Sequence, residues 1–551
     1  MSRTFDPISL KIVWDRLIAI VEEASVSLKR AAFSTIVRES NDFACVLLDT
    51  QCNALAQSKR SVPSFIGTPP ISLRHFLAKY PKETLLPGDA IICNDPWICT
   101  GHVGDLTIAT PIFLKDQLFA FAVSVAHSPD MGGLNMAAEA RDTYEEGLRI
   151  PILKLLEGGK PNETFLEILK TNVRVPDYVM GDLFAQLAAN DIMSRRLISL
   201  IEEYHYDIGD FDEISNVIIS ISEAAMRQSI RELPKGVYRA EIKTDGYDQP
   251  VTIKIAVTIE DSDIKVDYTG TDPQCYWAIN TVMNYTYAYT AFPIKCIVNS
   301  QIPNNQGCFR PIHVFAPEGS LVNPKLPAAV GARSQIGHFF HAAVFRALSN
   351  VIPEKIQGES GACPIWSGNF SSIGVSENRF THKLVANGGQ GASASKDGIS
   401  CSPFPSNISN VPVEVTESIS GLWVESKELV QDSGGDGKFR GGLGQRVAVK
   451  LISDTPAMLR NNCDRTKSPE HRAFGVAGGY PGSTGKVMLN GEVLRNPKER
   501  KMLHPQDIMI YETPGGGGYG SPNERDKEKI IDDLRNGYIS IEKAKSVYGL
   551  R

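Results

Sequence analysis

Apolar residues recur every three or four positions at the start of the chain. Leu10, Val13, Leu17, Val21, Ala24 and Leu28 form one stripe, with Asp6 placed as a cap and Pro7 at the first helical position. This spacing predicts a long amphipathic scaffold helix over 6–37. From 41 to 127 the period changes. Short apolar runs at 43–48, 90–93, 106–113 and 119–126, separated by Gly, Pro, Asn and Asp, predict strands and loops. Helical spacing returns over 162–231, at 165–169, 180–201 and 214–231, and stops at Leu233-Pro234-Lys235-Gly236. Beyond that point 237–244, 251–259 and 264–268 alternate like antiparallel strands. Gly and Pro then punctuate the chain as far as 519, around one clear helical stretch at 336–348. From Asn523 onward the chain is charged and helix-forming, with Ile530, Leu534, Ile539, Ala544 and Val547 as sparse apolar anchors.

The expected class is α+β with several domains. An N-terminal α/β part covers 1–233, a β-rich module punctuated by Gly and Pro covers 234–522, and a helical tail covers 523–551. A chain of 551 residues is several times the usual domain size, as this division requires.

Composition narrows the class without changing it. With 42% apolar and 22% charged residues the chain reads as an ordinary soluble globular protein. A net charge of -6 and the lack of a long Lys/Arg run argue against a nucleic-acid partner. Asp6, Lys11, Asp15, Arg16, Glu22 and Glu23 interrupt the first apolar stretches, and no window approaches the roughly 20 uncharged apolar residues that cross a bilayer. A cytoplasmic location with no membrane partner is therefore expected. Ten cysteines without a C-x-x-C pair are expected to be reduced and mostly buried.

Two glycine clusters, 433–438 and 514–520, invite a phosphate-loop reading. Lys438 is followed by Phe439 where a Walker loop has Ser or Thr, and Asp432 stands where its leading glycine belongs. Tight turns are the preferred reading. No G-x-S-x-G elbow or H-E-x-x-H helix occurs. His75, His205, His313, His382, His471 and His504 read as structural, as does the His338/His341 pair, which lacks a carboxylate nearby in sequence.

The stretch that carries chemistry is Gly101-His102-Val103-Gly104-Asp105, then two strands, then His127. If 106–113 and 119–126 pair about a turn centred on Asp116, Asp105 lies opposite His127. His102 can fold back from its Gly-flanked loop to complete a set of two imidazoles and one carboxylate with positions left open, the arrangement of a catalytic metal. The same residues could equally be polar groups finishing a hairpin.

The run Asn-Asp-Pro-x-x-x-x-Gly-His-x-x-Asp at 94–105 and His-x-x-Asp-x-Gly-Gly at 127–133 resemble the hydantoinase B/oxoprolinase family. So do Glu146-Gly147-Leu148-Arg149-Ile150-Pro151, Asn304-Asn305-Gln306-Gly307-Cys308, Asp432-Ser433-Gly434-Gly435 and Pro514-Gly515-Gly516-Gly517-Gly518, in order along the chain. The resemblance implies that the N-terminal part is a metal-binding catalytic domain. Its ligands to zinc, manganese or iron would be His102, Asp105 and His127, with Asp42 as a further acidic ligand. Asp130 and Glu146 are candidates for proton transfer or substrate contact, or for holding loops. One departure is Trp97-Ile98-Cys99-Thr100, where the family more often has a Gly-rich stretch.

The activity implied is that of one subunit of an ATP-dependent cyclic amidohydrolase. It would open a hydantoin, 5-oxoproline or related lactam after an A-type partner, which binds ATP and Mg, has phosphorylated the ring carbonyl oxygen. A hetero-oligomer is expected. The alternatives are a subunit of an acetone- or acetophenone-type carboxylase and a non-catalytic scaffold.

Overall fold

The computed structural model describes residues 6–373 and 380–550. Asp6 caps the first helix, Pro7–Ala31, accepting the amides of Ile8 and Ser9 at 3.0 Å. The stripe from Leu10 to Leu28 is buried. The helix does not run to 37: it stops at Ala31, and a separate turn, Thr35–Arg38, follows. Asp182, on the long helix Pro176–Glu203, is the cause. Its Oδ1 accepts the amides of Phe33 (2.7 Å) and Ser34 (3.1 Å), so the chain leaves the helical path there.

The four predicted strands join three unpredicted ones, β2, β6 and β7, in one antiparallel sheet: β1 (Phe43–Asp49), β2 (Ala54–Gln57), β3 (Ala90–Cys93), β4 (Asp105–Leu114), β5 (Gln117–His127), β6 (Leu153–Glu157) and β7 (Lys160–Pro161), in the order β2-β1-β5-β4-β3-β6-β7. Both faces are covered, which explains why these strands read as continuous apolar runs. Phe43, Cys45 and Leu47 meet the helices Pro7–Ala31, Pro176–Glu203 and Ile208–Arg231. The alternate residues Ala44, Val46 and Leu48 pack against Leu73 and Phe76 of the helix Thr68–Lys79. That helix was expected to be strand and loop. Pro69 and Pro70 look like turn residues, but they occupy a first helical turn, where backbone N–H groups have no intrahelical partner to lose.

In the β4–β5 hairpin Asp105 pairs with His127, and the register holds to Ile112 and Ala120. The turn residues Lys115 (φ 49°) and Asp116 (φ 66°) both adopt positive φ, as a two-residue turn matched to strand twist demands.

The second half carries three further sheets. Gly236–Thr244, Val251–Glu260, Asp263–Asp267 and Ile312–Phe315 form one, packed with the helices Met283–Asn299 and Phe339–Leu348. The first of these helices went unpredicted, because it is Thr/Tyr-rich, contains Pro293 and is buried over most of its surface, leaving no polar face to reveal its period. The stretch 336–348 proves to be a turn, Ser334–Gly337, and then a helix from Phe339. The other two sheets share one core built around Trp366, Leu459 and Tyr511. At the end of the chain, Lys527–Arg535 and Ile541–Ser546 enclose a small core of Ile530, Ile539, Ala544 and Tyr548. The protein is α+β and multi-domain. Among the described residues no helix is long and apolar enough to cross a membrane.

The glycine clusters do more than turn the chain. Gly434, Gly435, Gly441, Gly442 and Gly515 to Gly518 all lie outside the left-handed region. They are packed backbone against backbone. The Gly435 amide donates to Gly516 O (2.8 Å), that of Gly516 to Gly442 O (2.9 Å), that of Gly517 to Glu359 O (2.9 Å) and that of Gly518 to Tyr480 O (2.9 Å). These donors are engaged within the bundle rather than aimed at a phosphate. A Cβ at Gly516 would lie 2.2 Å from Gln390 O, so only glycine fits. Gly516→Ala is expected to destabilise the chain by at least ~3 kcal/mol through backbone displacement. Gly537→Ala, in open space at φ +69°, should lose only about 1–2 kcal/mol. Denaturant midpoints of the two variants check the ordering, and equal losses would mean that the bundle accepts a side chain.

Candidate metal centre

The hairpin register delivers Asp105 and His127 to adjacent strand ends, and the loop before β4 brings His102 back over them. Asp105 Oδ1 lies 2.7 Å from His102 Nε2 and 2.9 Å from His127 Nδ1. One donor atom from each of the three residues lies within 4.8 Å of the others. The imidazoles stack with centroids 5.2 Å apart. Gly104 makes this possible: a Cβ there would come within 2.9 Å of Cε1 of both rings.

The other carboxylate oxygen is occupied. Asp105 Oδ2 accepts Thr100 Oγ1 (2.6 Å) and Arg333 (2.7 Å), leaving Oδ1 for the imidazole side. Arg333 also donates to Thr100 O (3.1 Å) and stacks on the Tyr285 ring, 4.3 Å from its centroid. Burial opposes the Asp105 charge, but His102, Arg333 and His127 overcome it and hold the carboxyl well below its usual range. Burial, with Arg333 at one ring and Lys383 at the other, pushes His102 and His127 down despite Asp105. The set is thus an ionised carboxylate beside two neutral imidazoles, the protonation state that a divalent cation needs in its ligands. By donor type, convergence and charge, these residues fit such an ion.

The hydantoinase B/oxoprolinase family profile matches residues 6–522. The chain belongs to that family. A putative D-/L-hydantoinase component from Pseudomonas sp. (strain NS671) is 31% identical, over 100% of this chain and 95% of that protein. The crystal structure of the ATP-dependent caprolactamase from Pseudomonas jessenii matches with a TM-score of 0.92 and 26% identity, covering 99% of this chain and 96% of that one. The nucleotide-free structure of acetone carboxylase shares the fold, with a TM-score of 0.87 at 18% identity, covering 99% and 80%.

Within this hydantoinase B/oxoprolinase chain the remaining sequence candidates fall in different places. Asp42 is buried beside the three, and its carbonyl accepts the His127 amide (3.0 Å). Burial raises its carboxyl, His127 lowers it and Asp105 raises it further. Its carboxylate stands outside the group of converging donors. Asp130 lines the pocket beside His127, but its Oδ1 is taken by Arg174 (2.5 Å) and the Gly132 amide (3.2 Å). Glu146 sits behind the centre: its Oε1 accepts the amides of Val330 and Gly331 at 2.5 Å, and Gly331 O lies 3.4 Å from His102 Nδ1. His338 and His341 lie in the core, where burial pushes both down to about 3.

Sequence reading missed Thr100, the 328–333 loop and Arg333. Thr100 lies within the 94–105 motif. Nothing in spacing could connect Arg333 to Asp105, 228 residues away.

Glu146 yields a pH test. Burial raises its carboxyl to about 8, against the two amide bonds that lower it. Between its ordinary value near 4.5 and about 8, the folded chain keeps a proton that the unfolded chain releases, so stability falls as pH rises through that window. Glu146→Gln stays neutral and can accept the same amides. Its melting temperature relative to the unmodified chain should therefore rise from pH 5 to pH 8, and an unchanged difference would show that Glu146 does not titrate there.

Proposed function

We propose that this chain is the ring-opening subunit of an ATP-dependent cyclic amidohydrolase, acting on a hydantoin, 5-oxoproline or related lactam whose carbonyl oxygen an A-type partner has phosphorylated. One observation carries the reading: a buried carboxylate and two neutral imidazoles converge beside a pocket that His127 lines. Kinship with subunits named for hydantoin and lactam hydrolysis supports it. The engaged amides of the glycine bundle favour ATP handling on another chain.

His102, Asp105 and His127 would hold the cation, with Asp42 beside them as a further acidic group. A divalent ion there supplies Lewis acidity, lowering the pKa of a coordinated water towards roughly 7 or polarising a carbonyl. The chain's own residues set the geometry. Thr100 and Arg333 fix the plane of the Asp105 carboxylate by taking Oδ2, and Gly331 O orients His102 through Nδ1. Arg174 and Asp130 brace the loop that follows His127 at the pocket edge. The carboxylase reading rests on shared fold alone.

Purified with an A-type partner and ATP, the chain should open at least one ring in a hydantoin and lactam panel. His102→Ala and His127→Ala should each lower the rate by at least ~1,000-fold, since the ligand set that activates water is broken. A chelator should abolish turnover, and zinc, manganese or iron should restore it. No turnover with metal replete, or full activity in His102→Ala, would overturn the reading, and strict dependence on bicarbonate would favour carboxylation instead.

A further inference from the structure

The wall of the His127 pocket contributed by the second half of the chain is charged in a regular way. Three neighbouring strands, Thr381–Ala386, Trp366–Ser372 and Ala457–Asn462, run antiparallel so that Lys383 pairs with Asn369 and Asn369 pairs with Arg460. Directly opposed residues share a sheet face, with Cβ atoms roughly 5 Å apart. The three side chains therefore form a row of cation, amide and cation. All three line the pocket. One pleat further along, the pair Ser371 and Thr381 lines it too.

Neither cation has a close, well-formed ion pair: burial lowers Lys383 from its ordinary value against the more distant pull of Asp42 and Asp105, and lowers Arg460 against Glu139. Lys383 Nζ has Met136 Sδ at 3.7 Å as its hydrogen-bonding contact and no carboxylate within 4.0 Å among the described residues. It lines the same pocket as His127, and its charge acts on both Asp42 and His127. Arg460 reaches Glu139 Oε1 through Nε alone, at a long 3.4 Å, and Arg500 competes for the same oxygen at 4.0 Å. Arg174, by contrast, is matched by Asp130. Burial disfavours the charged form of Lys383, and an anion held against the amine would offset that penalty. A strand row built only for packing would carry apolar side chains here.

We propose that Lys383, Asn369 and Arg460 form an oxyanion subsite facing the metal centre. It would hold an anionic group carried by the substrate: the phosphoryl group added during activation, or a carboxylate on the ring. The identity of the carrier rests on the ring-opening reading, whereas anion binding by the row does not. Two cations flanking an amide donor present charge-assisted hydrogen bonds from both sides, and they would turn the anionic end of the ring towards the sheet and away from His127.

Isothermal titration of the full-length chain at constant ionic strength tests this, with inorganic phosphate and acetate as probes, before and after chelator treatment. Saturable binding of at least one probe is expected, and it should persist without metal. Lys383→Gln and Arg460→Gln should each weaken it about tenfold or more, as lost charge-assisted bonds do. Lys383→Arg should retain it, which separates loss of charge from misfolding. Lys265→Gln, an exposed residue paired with Glu260 on another sheet, should leave it unchanged. Tighter phosphate binding identifies a phosphoryl ligand, and tighter acetate binding a ring carboxylate. The proposal is overturned if neither probe binds, if binding vanishes with the metal, or if both glutamine variants bind normally. Because the readout needs no turnover, a complex that opens no ring defeats the functional reading and leaves the subsite standing.

Discussion

Asp105 is 1% exposed, and an isolated carboxylate moved that far from water is destabilised by several kcal/mol. The centre is organised around offsetting that penalty. Thr100 and Arg333 satisfy one oxygen and two imidazoles face the other, so the charge survives burial. The compensating groups lie at 100, 102, 127 and 333, which obliges the fold to lay the 328–333 loop against the end of a hairpin formed 200 residues earlier. Glu146 meets the same loop from behind, and Tyr285 supports Arg333 from the side. An ion pair of this kind is weak evidence for stability but strong evidence for a specified geometry, since removing any one partner strands the others.

A second constraint acts on the backbone. Segments at 358–361, 388–392, 433–444, 474–482 and 514–518 approach one another so closely that a Cβ would collide with carbonyl oxygens. Their amides and carbonyls satisfy each other without forming a sheet. Such contact is rigid because it contains no side chain able to yield. It ties the module bearing Lys383, Asn369 and Arg460 into one body of chain, which gives the pocket wall they share with His127 a defined position.

The two halves of the pocket differ in chemistry. On the side of the seven-stranded sheet, donor groups converge at neutral imidazoles and a shielded carboxylate. The strands bearing Lys383, Asn369 and Arg460 add a row of basic and amide side chains to the same pocket. On the proposed reading, a cation-binding set and an anion-binding set in one pocket would orient a polar ring before any bond changes, which is how positioning lowers a barrier.

Features within a few dozen residues of one another were readable in the chain. Period and capping located the helix starting at Pro7, alternation located β4 and β5, and the hairpin register set Asp105 opposite His127, because strand pairing across a short turn leaves few choices. Family motifs pointed to Asp42, which lies buried beside the three with its carboxylate outside the converging donors. Two of the longer helices escaped, one hidden by prolines in its first turn and one by burial that removed its polar face. The glycines betrayed their spacing but not their purpose, since close backbone packing needs a partner segment that no local pattern names. Arg333 on Asp105 and the row from Lys383 to Arg460 belong to the same class. They join residues that chain order keeps apart, and only the packed sheets and loops decide which of many distant polar groups meets a given buried charge.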